Sequence, residues 1–362
     1  MSFKKLKCSS YEVIFSSFLY LLSIGTAQAQ FKPDYYYKDW RLSPYTTAIV
    51  SKGPIATLEL ANKTNFDKGD LLAIEKAKQI VVSQPVIALL LIDEKNRIVF
   101  EGYNHGASAA SLLQGHSMTK SLVSIVVGAA VCDGSIKSLD DKAENYSSAL
   151  KGTAYGDASL RQLLMMSSSG SKPVIAGNPE QHFKRDLEVT HKRTLRSAFR
   201  EFGVNQPNPS QAGTFTYKGL DTSALSIVVA DTKKTKFQNV LSASLWSKIG
   251  AEHNAEIVVD GNNDAIAQSG FGTTARDWAR LAIYLRNLRK ENTCLGNYLK
   301  DAMSGHIANH SETGKSFQKY GYQFWTDNKY ITSPSAWMNG YGGQLIGFDL
   351  GAGKIALLFS YA

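Results

Sequence analysis

The stretch that decides the fold is HSMTKSLVSIVVGAAV, residues 116–131. From Thr119 to Val131 it is apolar on nearly every side, which is typical of a helix buried at the centre of a domain. Ser117 and Lys120 stand where this helix begins, and a spacing of three residues puts their side chains one turn apart on the same face. The stretch therefore predicts a buried central helix with a hydroxyl and an amine side by side at its N-terminus.

Segments with strand character lie on both sides of this helical centre. Upstream, runs at 86–92 and 97–103 flank the turn-forming residues Glu94-Lys95-Asn96. Downstream, runs at 344–350 and 354–361 flank Gly351-Ala352-Gly353. A further strand is predicted at 320–326, and helices are predicted at 65–83, 160–166, 222–231, 241–249 and 274–288.

This order predicts an α/β (α+β) fold with an antiparallel sheet formed from the N- and C-terminal segments. The sheet is expected from residues at about 84–105 and 318–362, flanked by helices, with an inserted all-helical region at about 117–300. The chain as given stops directly after its last predicted strand. Relatives of this fold class usually continue into a helix that covers the sheet, so apolar strand surface would be left uncovered here unless the helix at 65–83 shields it.

The first 29 residues have the pattern of an export signal. Lys4, Lys5 and Lys7 give a positive start, an apolar stretch follows at 13–24, and Ala27-Gln28-Ala29 is a small-x-small cleavage site. The apolar stretch is too short and too rich in serine to span a bilayer, although an uncleaved anchor helix is the alternative. We expect cleavage after Ala29, a periplasmic or secreted domain at 30–362, and no stable membrane span after cleavage.

Composition narrows the classes of function. The formal net charge is +9, and removal of the signal leaves +7, with basic residues scattered along the chain. Short basic clusters usually form solvated surfaces, so no nucleic-acid partner is predicted. No Cys/His spacing indicates a metal site, and no cofactor is predicted. Cys132 and Cys294 could pair in an oxidising compartment, but they lie far apart in sequence, and we expect two buried free thiols.

Ser117 is the predicted nucleophile. Ser-x-x-Lys is a weak motif, because it occurs five times in the chain. The example at Ser117 differs from the others in preceding a buried helix, whose dipole favours negative charge on the serine oxygen. Burial should lower the pKa of Lys120, so that its amine can accept a proton. The alternative is that Ser117 is an ordinary N-cap and Lys120 points to water.

Two further segments could complete a site. Tyr217 follows a loop rich in Pro, Asn and Gly, and it could relay the serine proton if Lys120 lowers its pKa. Alone it could equally be a packing aromatic. Tyr341-Gly342-Gly343-Gln344 precedes a predicted strand, where glycines allow close approach to a ligand and offer backbone N–H groups. Alone this segment could equally be a plain turn.

In this order the three segments resemble the serine β-lactamase and penicillin-binding-protein superfamily. Ser117-Met118-Thr119-Lys120 resembles its Ser-x-x-Lys box, and Tyr217-Lys218-Gly219 resembles its Tyr-x-Asn box. Tyr341-Gly342-Gly343 resembles its Lys-Thr-Gly box in the form found in class C-like esterases and amidases. Stretches at 160–168, 269–280 and 321–325 are similar to connecting segments of the superfamily, and the last two especially resemble its 6-aminohexanoate-dimer hydrolase branch.

The resemblance implies acylation of Ser117, activated by Lys120 and Tyr217, and then hydrolysis by water. Backbone N–H groups of Ser117 and Gln344 would form an oxyanion hole, and the segment from Tyr341 to Gln344 would contact the substrate. Gly219 replaces the usual Asn, and Tyr341 replaces the Lys that would hold a β-lactam carboxylate. The expected substrate is therefore a small-molecule ester or amide. The alternatives are a DD-peptidase-like enzyme and a non-catalytic binding protein with the same fold. The oligomeric state is not predicted.

Overall fold

The computed structural model describes residues 46–361 except 63, 65, 171–193, 205–206 and 332. The predicted export signal at 1–29 lies outside the described residues. The strands, numbered in chain order, are β1 Thr46–Val50, β2 Val86–Ile92, β3 Ile98–Tyr103, β4 Leu112–Gln114, β5 Ala255–Val259, β6 Phe271–Thr274, β7 Ile307–Ala308, β8 Phe317–Tyr320, β9 Trp325–Asn328, β10 Ser335–Gly340, β11 Gln344–Asp349 and β12 Ile355–Ser360.

The helices connect these strands. They are α1 Lys68–Ser83, α2 Thr119–Cys132, α3 Ala154–Asp157, α4 Leu160–Leu164, α5 Leu195–Val204, α6 Gly219–Thr232, α7 Phe237–Ser244, α8 Ala275–Lys290 and α9 Cys294–Ala302. Short 3₁₀ turns include His116–Met118, which leads directly into α2. Helix α2 is buried on almost all sides, as its sequence predicts.

The larger sheet has the order β3-β2-β12-β11-β10-β9-β8-β7, and its neighbouring strands are antiparallel. Strand β12, near the C-terminus, pairs with β2, near the start of the described chain, in the register Leu357↔Leu90. The sheet is therefore formed from both ends of the domain. This confirms the predicted fold class, in which N- and C-terminal segments share one antiparallel sheet.

Apolar layers cover both faces of the sheet. Because side chains of a strand alternate between faces, Leu90 and Ile92 join the core around the central helices, whereas Leu89 and Leu91 pack in a second core with Ala77 of α1. Helix α1 begins at a capping box in which Asp67 is the N-cap. Helix α1 therefore covers apolar surface on this face of the sheet.

A second sheet of short strands, with the order β1-β5-β6-β4, was not predicted. Its strands β5 and β6 lie inside the region expected to be all-helical, and its strand β4 leads into the turn at His116–Met118. The Gly115 N–H donates to the Phe271 carbonyl at 2.9 Å. This small sheet therefore fixes the backbone immediately before Ser117.

Several element predictions need correction. The single strand expected at 320–326 is a hairpin of β8 and β9, because Gln323 adopts a left-handed φ of 61° between them. The helix expected at 241–249 begins earlier and ends at Ser244, followed by the 3₁₀ turn Trp246–Lys248. No strand was predicted at 335–340, where β10 pairs with both β9 and β11.

The expectation of two free thiols is also wrong. Cys132 at the end of α2 and Cys294 at the start of α9 form a disulfide, with 5.7 Å between their Cα atoms. It joins residues separated by 162 positions in the chain. The bond fastens the C-terminal end of the central helix to a neighbouring helix. Within the described part of the chain, every helix is too short or too polar to cross a membrane.

Candidate active site

Ser117 lies in the 3₁₀ turn at the N-terminus of α2, as predicted. The Thr119 hydroxyl donates to the His116 carbonyl at 2.7 Å and accepts the Phe271 N–H at 3.2 Å. These bonds tie the first turn of the helix to strand β6. His116 has a left-handed φ of 45°, so the backbone turns sharply just before the nucleophile position. Ser117 is half-buried at this corner.

Lys120 points towards Ser117 rather than to water. Its side chain is buried, with 4 % relative exposure for the residue. The Lys120 ammonium nitrogen lies 3.0 Å from Ser117 Oγ and 2.5 Å from the Gln268 carbonyl oxygen. The alternative of an exposed lysine is therefore excluded. A second anchor on Gln268 holds the amine in place beside the hydroxyl.

Tyr217 completes this cluster. Its phenol interacts with the Ser117 side chain, and Lys120 Nζ lies 5.2 Å from the centre of its ring. The ring stacks on Trp325 with centroids 5.3 Å apart. Burial raises the pKa of Tyr217, and the interaction with Ser117 only partly offsets this. The shift is opposite to the expected lowering, so the phenol is protonated at neutral pH and can pass a proton on.

The glycine-rich segment forms the turn of the β10–β11 hairpin beside Ser117. A Cβ on Gly340 would lie 2.3 Å from the carbonyl oxygen of Gly115, so the close approach requires glycine there. Gly342 and Gly343 have φ values of 74° and 79°, a conformation that favours glycine. The structure thus brings this hairpin turn to the N-terminus of α2, two residues from Ser117.

Two side chains brace the turn from inside. The Gln344 amide donates to the Tyr341 carbonyl at 3.1 Å, the Gly342 carbonyl at 2.9 Å and the Ser360 carbonyl at 2.7 Å. The Ser360 hydroxyl donates to the Gly342 carbonyl at 2.7 Å. With its carbonyls held inward, the turn has a fixed shape. Sequence reasoning assigned Gln344 a backbone role and missed this bracing by its side chain and by Ser360.

Tyr341 and His116 form the outer edge of the cluster. Tyr341 is exposed to 46 %, and its ring meets the His116 ring edge-on with centroids 6.1 Å apart. Burial, assisted by the charge of Lys120, lowers the pKa of His116 to about 4. His116 is therefore neutral at physiological pH. Tyr341 presents an uncharged aromatic surface where a Lys would present a cation.

Behind Tyr217 lies a buried ion pair that the sequence analysis did not find. Lys218 and Asp221 have fully buried side chains, with Nζ and Oδ2 3.7 Å apart. Ser168 bonds both, because its carbonyl accepts from Lys218 at 2.5 Å and its hydroxyl donates to Asp221 at 2.5 Å. Burial raises the pKa of Asp221 to about 6 and lowers that of Lys218. Desolvation thus outweighs the mutual attraction of the pair.

The segment that carries Tyr217 and Lys218 contacts the chain that follows α4. The Thr216 N–H donates to the Met166 carbonyl at 2.8 Å, and the Lys218 N–H points to Met166 Sδ at 3.4 Å. Tyr217 therefore stands on a short segment fixed on both sides to the chain after α4. The spacing from Lys218 to Asp221 at the start of a predicted helix was the available signal, but charged residues there normally face water.

Comparison with known proteins identifies a family and several relatives. The family model "Beta-lactamase" matches residues 77–360. The 6-aminohexanoate-dimer hydrolase of Paenarthrobacter ureafaciens is 30% identical over 169 residues. That match covers 46% of this chain and 43% of the relative, so the matched part spans less than half the length of that relative.

Solved structures share the fold over most of the chain. A Bacillus anthracis protein assigned as a 6-aminohexanoate-dimer hydrolase superposes with a TM-score of 0.69 at 20% identity, covering 91% of this chain and 88% of the other. A D-stereospecific amidohydrolase from Streptomyces sp. gives 0.62 at 15% identity, covering 80% and 94%. Since the family match runs from within α1 to the end of β12, the described domain belongs to the beta-lactamase family of serine hydrolases.

Proposed function

We propose that this protein is an exported hydrolase that cleaves a carboxylic ester or small amide through an acyl-enzyme on Ser117. The observation that carries the proposal is the contact of the Ser117 hydroxyl with two proton-transfer groups. Lys120 Nζ lies 3.0 Å from Ser117 Oγ, and the Tyr217 phenol interacts with the same side chain. A serine hydroxyl needs such a partner, because at its own pKa it is a weak nucleophile.

In the acylation step, Ser117 Oγ attacks the substrate carbonyl carbon as its proton moves to neutral Lys120, directly or through Tyr217. The tetrahedral intermediate collapses when the carbon–oxygen or carbon–nitrogen bond to the leaving group breaks. The leaving alcohol or amine takes up the proton from the Tyr217–Lys120 pair. Water then attacks the acyl carbon and gives a proton to the same pair. The bond between the acyl carbon and Ser117 Oγ breaks, Oγ takes that proton back from the pair, and the carboxylic acid is released.

Backbone N–H groups of Ser117 and Gln344 are proposed to bind the oxyanion of the intermediate. Support comes from the position of Ser117 at the start of a 14-residue helix and from the close contact of Gly340 with Gly115. The braced hairpin turn would hold its N–H group still during the reaction. Donors fixed before the reaction contribute about 3–4 kcal/mol in comparable sites.

The substrate class follows from what Tyr341 presents. An exposed, uncharged ring beside neutral His116 offers no cation for the carboxylate of a β-lactam or of a C-terminal D-alanine. An ester or a small linear amide does not need that cation. The similarity to a 6-aminohexanoate-dimer hydrolase supports an amide substrate.

Export is supported by the N-terminal signal pattern and by the Cys132–Cys294 disulfide. Disulfides persist in oxidising compartments and are rare in the cytosol of mesophiles. We therefore propose a periplasmic or secreted location after cleavage at Ala29. N-terminal sequencing of the protein recovered from an exporting host tests this, and a cytosolic protein that starts at Met1 would contradict it.

The test of activity compares Ser117→Ala with Ser148→Ala. Ser148 begins another Ser-x-x-Lys tetrapeptide and is exposed in a 3₁₀ turn, so it is a matched control. With short-chain p-nitrophenyl esters, we expect turnover by wild type and Ser148→Ala and loss in Ser117→Ala. Nitrocefin hydrolysis should be negligible. Ester turnover that survives Ser117→Ala would contradict the proposed nucleophile, and strong nitrocefin turnover would contradict the role of Tyr341.

A further inference from the structure

Gln268 lies where the segments of the candidate site meet. It precedes β6, is 9 % exposed, and its carbonyl oxygen accepts the hydrogen bond from Lys120 at 2.5 Å. The same residue therefore contacts the proposed base through its backbone. None of the three resembling motifs contains it, so sequence reasoning gave it no role.

The side chain of Gln268 reaches a second segment of the site. A Cβ built on Gly219, two residues after Tyr217, would lie 2.0 Å from Gln268 Oε1 and 2.8 Å from Cδ. Gly219 is also the first residue of α6. The carboxamide therefore fills the space that a side chain at position 219 would occupy. Glycine at 219 and glutamine at 268 are a complementary pair.

We propose that Gln268 is a positioning residue for the reaction of Ser117, which aims Lys120 with its carbonyl and sets the spacing to the Tyr217 segment with its carboxamide. This inference rests on the proposed function, because positioning has a meaning only if Ser117, Lys120 and Tyr217 act together. The neutral amide has two useful properties here. It fits against Gly219, and it places no charge beside Lys120.

The first test introduces a negative charge at position 268. Gln268→Glu keeps the size of the side chain but places a carboxylate on the residue whose backbone carbonyl holds Lys120, and a negative charge within the site favours the ammonium form of the amine. His116 and Tyr217 are titratable groups that face Lys120. His116 titrates near pH 4, and the phenol of Tyr217 stays protonated, so neither titrates near neutral pH.

We therefore expect the acid limb of the pH profile of kcat/KM for ester hydrolysis to move up by about one pH unit in Gln268→Glu. The rate at neutral pH should fall about tenfold and recover towards wild type in alkaline buffer. Gln238→Glu is the matched control, because Gln238 is also buried but lies in α7 and bonds Asn263. Its acid limb should coincide with that of wild type.

The second test changes the packing between residues 219 and 268. Gly219→Ala should push the carboxamide aside, and Gln268→Ala removes it, so each should lower kcat about 10–100-fold with little change in KM. In the double variant the two close contacts, with Gln268 Oε1 and Cδ, are gone, and Gln268 Cβ lies 3.5 Å from the new Cβ, an ordinary contact. The decrease in kcat of the double variant should therefore equal that of Gln268→Ala alone. The decreases caused by Gly219→Ala and Gln268→Ala should not add.

Outcomes for the two ideas are distinguishable. If Ser117→Ala abolishes ester turnover while Gln268→Glu keeps the wild-type pH profile and the losses of Gly219→Ala and Gln268→Ala add, the role of Gln268 is wrong and the proposed function stands. If Ser117→Ala keeps ester turnover, the proposed function is wrong and the positioning role falls with it. A shifted acid limb together with non-additive losses supports both. Circular dichroism of each variant checks that it is folded.

Discussion

Lys218→Met should destabilise the fold strongly, because it breaks a fully buried ion pair. Lys218 and Asp221 both have 0% side-chain exposure, and their charged atoms are 3.7 Å apart. Without Lys218, the Asp221 carboxylate would be left in a dry site with the Ser168 hydroxyl. Removing one partner of a buried pair typically costs about 3–5 kcal/mol. We expect a loss of that size in the free energy of unfolding at pH 7.5, measured by urea denaturation of the mature protein.

The matched control is Lys142→Met. Lys142 contacts Asp157 at 2.5 Å, but these side chains are 54% and 67% exposed, so water screens the pair. Its loss should cost less than about 1 kcal/mol. Lys218→Met/Asp221→Asn leaves no buried charge and should recover part of the stability lost in Lys218→Met. Equal, small effects of Lys218→Met and Lys142→Met would refute the argument that burial makes the first pair important.

The effect of pH on Lys218→Met has a definite sign. In the folded protein the pKa of Asp221 is raised to about 6 from its usual value of 3.8, so folding favours its protonated form. Its unfavourable contribution therefore grows as pH rises from about 4 through 6 and shrinks as pH falls. Losing Lys218 removes the charge that holds this pKa down, so the penalty should be smaller at pH 5 than at pH 7.5. A larger loss of unfolding free energy at pH 5 than at pH 7.5 would show that ionised Asp221 does not destabilise the folded protein.

Other expectations follow from the same cluster. Lys120→Ala and Tyr217→Phe should each lower kcat for ester hydrolysis at least 10²-fold, the usual scale for proton-transfer groups, and a near-wild-type rate would remove that residue from the mechanism. His116→Gln should leave the shape of the pH profile between 5 and 8 unchanged, since the pKa of His116 is lowered to about 4, and a lost ionisation in that range would contradict this. Replacing Cys132 and Cys294 by Ser should lower the free energy of unfolding by about 2–4 kcal/mol in urea titrations, and an unchanged midpoint would show that the disulfide adds no stability.

Local pattern was enough to predict the elements whose own sequence fixes whether they are helix or strand. Helix α2 is apolar all round, and strands β2 and β12 are continuous apolar runs, so their type and bounds follow from sequence. The contact of Lys120 with Ser117 is also local, since three residues separate them on one helix. These predictions required only the geometry of a single element.

Features that depend on distant pairing were missed. Strand β1 pairs with β5 in the register Thr46↔Val259, and nothing in either five-residue segment indicates its partner. Cys132 and Cys294 meet only because α2 and α9 pack together. Gln268 contacts Lys120 and Gly219 through a turn that precedes β6. Such contacts follow from tertiary packing, which overrides local propensity.

The burial of Lys218 could not be foreseen either. A lysine in a polar loop is normally solvated, and only the coincidence of Asp221 and Ser168 behind it makes burial tolerable. The raised pKa of Tyr217 also results from burial by residues that are distant in sequence. The approach of Lys120 was expected to lower it, but the aromatic packing around the ring, including Trp325, desolvates the phenol more strongly.

The most direct test of the central claim is covalent capture of Ser117. The mature protein is incubated with a fluorophosphonate probe and digested, and the modified peptide is identified by mass spectrometry. We predict one adduct on Ser117, absent in Ser117→Ala and strongly slowed in Lys120→Ala. Well-folded wild-type protein that gains no adduct, or an adduct on another serine, would contradict the account.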